Sequence, residues 1–142
     1  MEKFQEYRDE EKGFLIRAPQ DWEMIKAEAE WAVRLSMRVI IKATKNLEPE
    51  DFRPNVNVGV QDLKILPEPI DLKQFSLLSL SQLENMVEDF LVEEKAKLCL
   101  LDGEECFSMV YTGIQGGFQV KFKQQWALKD QVAYLLTYTA LQ

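Results

Sequence analysis

From Phe90 to Ala140 the chain keeps returning to one pattern, apolar residues on alternate positions broken by short turn signals, and this constrains the fold more than any other feature. Side chains along a strand point to its two faces in turn, so such alternation marks a strand with one buried side. Phe90 to Leu101 and Glu104 to Tyr111 flank Asp102-Gly103, a pair that tolerates positive φ and suits a two-residue hairpin turn. After a Gly113 to Gly117 loop, Phe118, Val120, Phe122 and Trp126 alternate with Gln119, Lys121, Lys123 and Gln125 on a third strand. Lys129-Asp130-Gln131 then turns the chain into Val132 to Ala140. Strands joined this closely pair antiparallel, so the last third reads as a meander.

Upstream, Gly13 to Pro19 is a short apolar run opened by Gly and closed by Pro, as in a first strand ending in a turn, with Trp22 just beyond. Trp31, Val33, Leu35, Met37, Val39 and Ile41 alternate with polar residues and predict a second strand. Glu23 to Glu30, rich in helix formers, reads equally as a helical turn or as that strand's beginning. Lys45 to Pro54 is a polar loop, Val56, Val58 and Val60 mark another strand, and Pro67 and Pro69 interrupt it. Asp71 is placed to cap a helix in which Leu72, Phe75, Leu78, Leu83, Met86, Val87 and Phe90 recur near the helical period, with an end expected between Glu84 and Asp89. Strands, one helix and four further strands give an α+β order with a mostly antiparallel sheet. At 142 residues the chain is one domain, spanning 1–142, with no repeat and no linker.

Composition closes off several functions. A net charge of −7 disfavours binding through phosphate neutralisation, so nucleic acid is not an expected partner. No segment reaches the roughly 18 apolar residues of a membrane helix, and the N-terminus has no signal-peptide pattern, so a cytoplasmic location is expected, with an extracytoplasmic, lipoprotein-like domain as the alternative. The sequence has no histidine, which removes the commonest general base, the usual triads and most zinc sites. Neighbouring carboxylates such as Glu93 and Glu94 would point to opposite faces of a strand, and Gly113 to Gly117 lacks the Lys and Ser or Thr of a P-loop. No catalytic residue, cofactor or metal is therefore expected.

Cys99 and Cys106 fall directly opposite each other if Asp102-Gly103 is the turn, and opposed residues about 5.5 Å apart at Cα can form a disulfide. A disulfide or redox pair is one reading. With no signal peptide in view, two reduced, partly buried thiols are the expectation. Trp22 and Trp126 are expected in the core rather than in a ligand pocket. Recognition is expected in loops carried by the sheet, with Glu50, Asp51, Phe52 and Arg53 in one and Ile114 and Gln115 in another as candidate partner contacts.

Gly13-Phe14 leading to Pro19-Gln20-Asp21-Trp22, the Asn55-Val56-Asn57-Val58 strand and the closing Tyr134-Leu135-Leu136-Thr137-Tyr138-Thr139-Ala140 strand resemble, in this order, the superfamily of PsbP and the bacterial DcrB-like proteins. The resemblance implies a central antiparallel sheet sandwiched between helices, an α/β/α arrangement. Its members include photosystem assembly subunits, bacterial lipoproteins, chaperones for secretion effectors and a Ran-binding nuclear import factor, so fold does not settle function. The family pattern usually continues into a C-terminal helix where this sequence stops at Leu141-Gln142. The expectation is either a truncated chain or an uncovered sheet face suited to a homodimer or another partner. A non-catalytic protein-binding or assembly module follows as the first functional reading. A carrier or sensor of a small apolar ligand is the second, and an enzyme using carboxylates or Cys the third.

Overall fold

The meander forms as its alternation requires. In the computed structural model, which describes residues 3–26, 37–43, 53–101 and 103–142, strands β6 (Glu88–Leu101), β7 (Glu104–Gln115), β8 (Phe118–Lys129) and β9 (Val132–Leu141) pair in chain order, each antiparallel to the last. Leu101 pairs with Glu104 across the first turn, where Gly103 has a φ of 79°; Asp102 lies outside the described residues. The expected Gly113 to Gly117 loop is shorter than its glycines suggested. Strand β7 runs on through Gly113 and Ile114 to Gln115, and the turn is Gly116-Gly117 alone, at φ of 58° and 84°.

The last turn manages without glycine, placing Asp130 and Gln131 at φ of 52° and 60°. Gln131 has a second task there. Its carboxamide accepts from the Ile70 N–H (3.1 Å) and donates to the Ile70 carbonyl (2.9 Å), which fixes the chain entering the helix.

The earlier strands extend the sheet from β9. Strand β5 (Asn55–Asp62) pairs with β9, β4 (Met37–Lys42) with β5, and β3 (Glu23–Lys26) with β4, giving the order β3-β4-β5-β9-β8-β7-β6, antiparallel throughout. The stretch that read as helix or strand is thus strand over Glu23–Lys26. Residues 27–36, the rest of that stretch and most of the strand expected from Trp31, lie outside the described residues, as do 44–52 of the polar loop.

Helix α1 (Leu72–Met86) starts where Asp71 caps it. The Asp71 carboxylate accepts from the Gln74 N–H (2.8 Å) while the Gln74 side chain accepts from the Asp71 N–H (2.9 Å), a reciprocal capping box. It packs Phe75, Leu72, Leu80 and Leu83 against Met109, Tyr111, Val120, Phe122 and Trp126 of the sheet. Buried Ser76 and Ser79 keep that interface thin. Phe90, at helical spacing from these residues, belongs to β6 instead.

The helix-flanked α/β/α sandwich does not form. Leu135 and Leu136 are neighbours on β9, so they face opposite sides, and only the Leu135 side meets a helix. Among the described residues α1 is the one α-helix, and the fold is a β-rich antiparallel sheet. The opposite face has its own cover. Strand β1 (Phe4–Asp9), not foreseen from the sequence, pairs with β2 (Phe14–Pro19) in a separate hairpin. Its Tyr7, Phe14, Ile16 and Ala18, with Trp22 and Met24, close over Val39, Ile41, Val58 and Leu136. The first segment thus makes a hairpin where the expectation needed a second helical layer. Beyond the hairpin, that face carries Lys121, Lys123 and Gln125 of β8.

The hairpin is fastened by charge. The Asp9 side chain, 2% exposed, accepts from Arg38 Nε at 2.8 Å and from the Lys12 N–H at 2.9 Å, while the Tyr134 hydroxyl donates to the Lys12 carbonyl at 2.7 Å. Burial pushes the Asp9 carboxyl up, but the bonds from Arg38 and Lys12 outweigh it and hold it below the usual carboxylate range. A carboxyl depressed on folding stabilises above its unfolded pKa of about 3.9 and loses that contribution as pH falls through its lower folded value.

Two predictions follow from these attachments. The Asp9→Asn variant should lose part of the acid dependence of unfolding that the parent shows below about pH 4, read from urea melts in a pH series; identical acid limbs would contradict the assigned role. On the helix side the buried Trp126 indole N–H donates to the Ser76 hydroxyl; Ser76→Ala removes that acceptor, so urea unfolding should show a loss of about 1–3 kcal/mol.

Candidate binding groove

Alternation along β5 sends Val56, Val58 and Val60 toward the hairpin side and Asn55, Asn57, Gly59 and Gln61 toward the helix side. On β9 the same logic brings Leu135, Thr137 and Thr139 to the helix side. Because α1 ends at Met86, this part of the sheet stays open, and a groove of about 340 Å³ lies between it and the helix end.

Register sets the polar wall. Asn57 pairs with Thr137, which pairs on its other side with Gln124 of β8, and Asn55 pairs with Thr139. Three carboxamide or hydroxyl groups therefore cross the sheet in one row, at about 4.8 Å per strand. Leu83, Met86 and Val87 form the facing wall, with Tyr111 and Phe122 between the two. Those rings are stacked, centroids 4.8 Å apart, and burial pushes the Tyr111 phenol well up.

Gln124 is 8% exposed. Its Nε2 donates to Thr137 Oγ1 at 3.0 Å, and its buried Oε1 has no partner. Among the described residues, no Asp, Glu, Lys or Arg lines the groove.

Of the expected contacts, Ile114 and Gln115 lie at the groove. Arg53 does not; it donates to the Ala43 carbonyl and pairs with Glu23 at 2.7 Å, a bond between the chain before β5 and strand β3. Glu50, Asp51 and Phe52 lie outside the described residues. Cys99 and Cys106 stand opposite each other as the hairpin register requires, with Cα atoms 5.1 Å apart, in disulfide geometry. Trp126 is 1% exposed in the core and Trp22 packs under the hairpin. Sequence reasoning missed Asn55, Asn57, Gln61, Thr137, Thr139 and Gln124. One signal was present: Gln124 interrupts the apolar series Phe118, Val120, Phe122, Trp126 on the buried face of β8.

Among the described residues no group of three or more Asp, Glu or Cys could hold a metal ion, and no helix is long and apolar enough to cross a membrane. No family model and no curated protein matches the chain. Solved structures do. Cyanobacterial PsbP from Synechocystis superposes with a TM-score of 0.66 at 11% identity, over 100% of this chain and 82% of that one. The fold is PsbP-like. LpqN, described as involved in cell envelope biogenesis of Mycobacterium tuberculosis, matches with a TM-score of 0.63 at 17% identity, over 87% of this chain and 68% of its own. A Pseudomonas aeruginosa protein of unknown function matches at 0.59 and 14%, over 97% and 83%. Identities this low carry the PsbP-like fold and no activity.

Gly113 connects this fold to the groove. A Cβ there would lie 2.4 Å from Val87 Cγ1 and 3.0 Å from the Glu88 carbonyl oxygen, so only glycine lets β7 pass under the helix end that forms the groove wall. Gly113→Ala should lower unfolding stability by about 1–3 kcal/mol and shift the amide resonances of Met86 and Val87. An unchanged spectrum would show that the contact is not made.

Proposed function

We propose that this PsbP-like chain is a non-catalytic binding domain and that it binds through the groove between the end of α1 and strands β5, β9 and β8. One observation carries the reading: among the described residues the lining offers carboxamides and hydroxyls, and the one ionisable side chain among them, Tyr111, is kept protonated by burial. Such a surface donates and accepts hydrogen bonds. Its described residues include no group near its pKa at neutral pH to move a proton during a reaction, which acid–base catalysis requires.

The mixed lining favours a small ligand that is partly polar over the wholly apolar one that a sheet-and-helix core would suit. Contact with a protein is the second reading, and strand β6 supports it. As the edge strand it leaves Leu91, Leu98 and Leu100 at 67%, 64% and 71% exposed, a surface to which a partner strand could add. Register shifts and Glu93, Glu94, Lys95 and Lys97 guard its middle, which confines such contact to the Leu98 end. A homodimer through the face opposite α1 is not part of the proposal, because the hairpin already covers its apolar area.

Native mass spectrometry of the protein taken gently from its own cells tests the reading. The expected spectrum shows a non-covalent small-molecule adduct, released unchanged on denaturation and absent from an Asn57→Trp variant of equal thermal stability. Release of a chemically converted molecule would replace binding with catalysis. A second protein chain lost on replacing Leu98 and Leu100 by Ser would favour the β6 reading.

A further inference from the structure

Resting on the β6 reading above, and apart from the groove, we propose that residues 97–101 of strand β6 pair antiparallel with the same segment of a second copy of this chain. Among the described residues no strand pairs with the outer side of β6, the last strand of the sheet. Lys95, Ala96, Lys97, Leu98 and Leu100 are all exposed, which leaves that edge open to an incoming chain. Two parts of β6 differ. Before Lys97 its register with β7 shifts three times, and such bulges turn an edge away from further pairing. Across residues 97–101 the register is unbroken, and this regular part carries Leu98 and Leu100, at 64% and 71% exposed. An edge blunted along most of its length and left regular and apolar at one end is open to pairing at that end.

Geometry and charge then select the occupant. Opposed side chains of an antiparallel pair lie on one face. Leu98 and Leu100 share the helix face, since Leu98 pairs with Phe107, which packs on the core there. A two-fold axis through Cys99 therefore sets Leu98 opposite the partner's Leu100 and Leu100 opposite the partner's Leu98, so both leucines of each copy are covered in one contact. Exposed Lys95 and Lys97 precede the leucines, and exposed Glu104 and Glu105 follow them beyond the turn. Antiparallel self-pairing brings the lysines of each copy beside the glutamate-bearing turn of the other, whereas a parallel arrangement would set lysine against lysine. A second copy meets both conditions by symmetry; an unrelated strand would need matching leucines and the same order of charge. The contact spans fewer residues than the roughly 20–30 a side of a stable interface, so association is weak and depends on concentration.

Sedimentation equilibrium of the full chain, in a series reaching on the order of 1 mM, tests this. The expected result is a monomer–dimer equilibrium that moves toward monomer as salt rises. Leu98→Ser with Leu100→Ser should weaken the dimer at least about tenfold while keeping a dispersed NMR spectrum, because both side chains are exposed. Lys95→Glu with Lys97→Glu should weaken it too, and adding Glu104→Lys and Glu105→Lys should restore it, a rescue that contact between copies requires. In a mixture of ¹³C-labelled and unlabelled chain, filtered NOEs should join Leu98 methyls to the partner's Leu100 methyls. Monomer at every concentration, or a dimer indifferent to the leucine pair, would overturn the proposal. If a different cellular protein docks on this edge and is lost with the leucines while the pure chain stays monomeric, the β6 reading stands and the second copy is replaced as its occupant. If neither a second copy nor any cellular chain depends on the leucines, the β6 reading itself fails.

Discussion

One hydrogen bond, from the indole N–H of Trp126 to the Ser76 hydroxyl, fixes where the helix lies on the sheet. Apolar contact alone is non-directional and would tolerate α1 at several positions along its stripe. The bond does not, because Trp126 is fully buried on β8 and its N–H has to be met. Ser76 passes the constraint on by donating to the Leu72 carbonyl one turn earlier, which ties the hydroxyl to the helix backbone. With the capping box at Asp71 and the Gln131 clamp on Ile70 holding the helix start, the position of Met86 follows. The groove exists because the helix ends there and the sheet continues.

The two faces of the sheet are closed by different physics. On the helix side, aromatic and aliphatic area is buried around Trp126. On the other side a smaller apolar patch is supplemented by Asp9, a carboxylate held under the hairpin by Arg38. A buried ion pair is a weak source of stability, since the desolvation of both charges offsets most of their attraction. What it contributes is placement. A hairpin with few side chains to bury could slide across Val39 and Ile41, and the fixed geometry of Asp9 between Arg38 and the Lys12 N–H removes that freedom.

The sheet was legible wherever pairing is local. Alternation from Phe90 onward, the Asp102-Gly103 signal and the capping Asp71 are short-range features, and they placed the meander, the Cys99–Cys106 register and the helix start. Strand β1 was not legible because its partner is β2 and its buried face is created only when the hairpin lands on β4 and β5, a tertiary event. The second helical layer came from resemblance and failed for the same reason, since the hairpin occupies its place. The candidate groove was hidden more deeply. Polar residues alternating with valines on β5 read as a solvent face, and which side of a strand is roofed depends on where a helix later in the chain ends; of the contacts sought in loops, Ile114 and Gln115 reach the groove and Arg53 does not.

Gln124 resists that explanation, and so says more. It sits between Phe122 and Trp126 on the buried side of the central meander, where an apolar residue would pack against Met109 and leave nothing unmet. Local pattern, burial and hydrogen bonding all favour a residue other than glutamine there, and sequences normally agree across those levels. The neighbouring Asn57 and Thr137 depart from the apolar pattern in the same row, on adjacent strands and on the same face. Independent lapses would scatter over the sheet, while these adjoin one another and border the open groove. Such a grouping on rigid strands, rather than on loops, holds its donors and acceptors in fixed positions before anything binds, which reduces the ordering cost that a flexible site would bear.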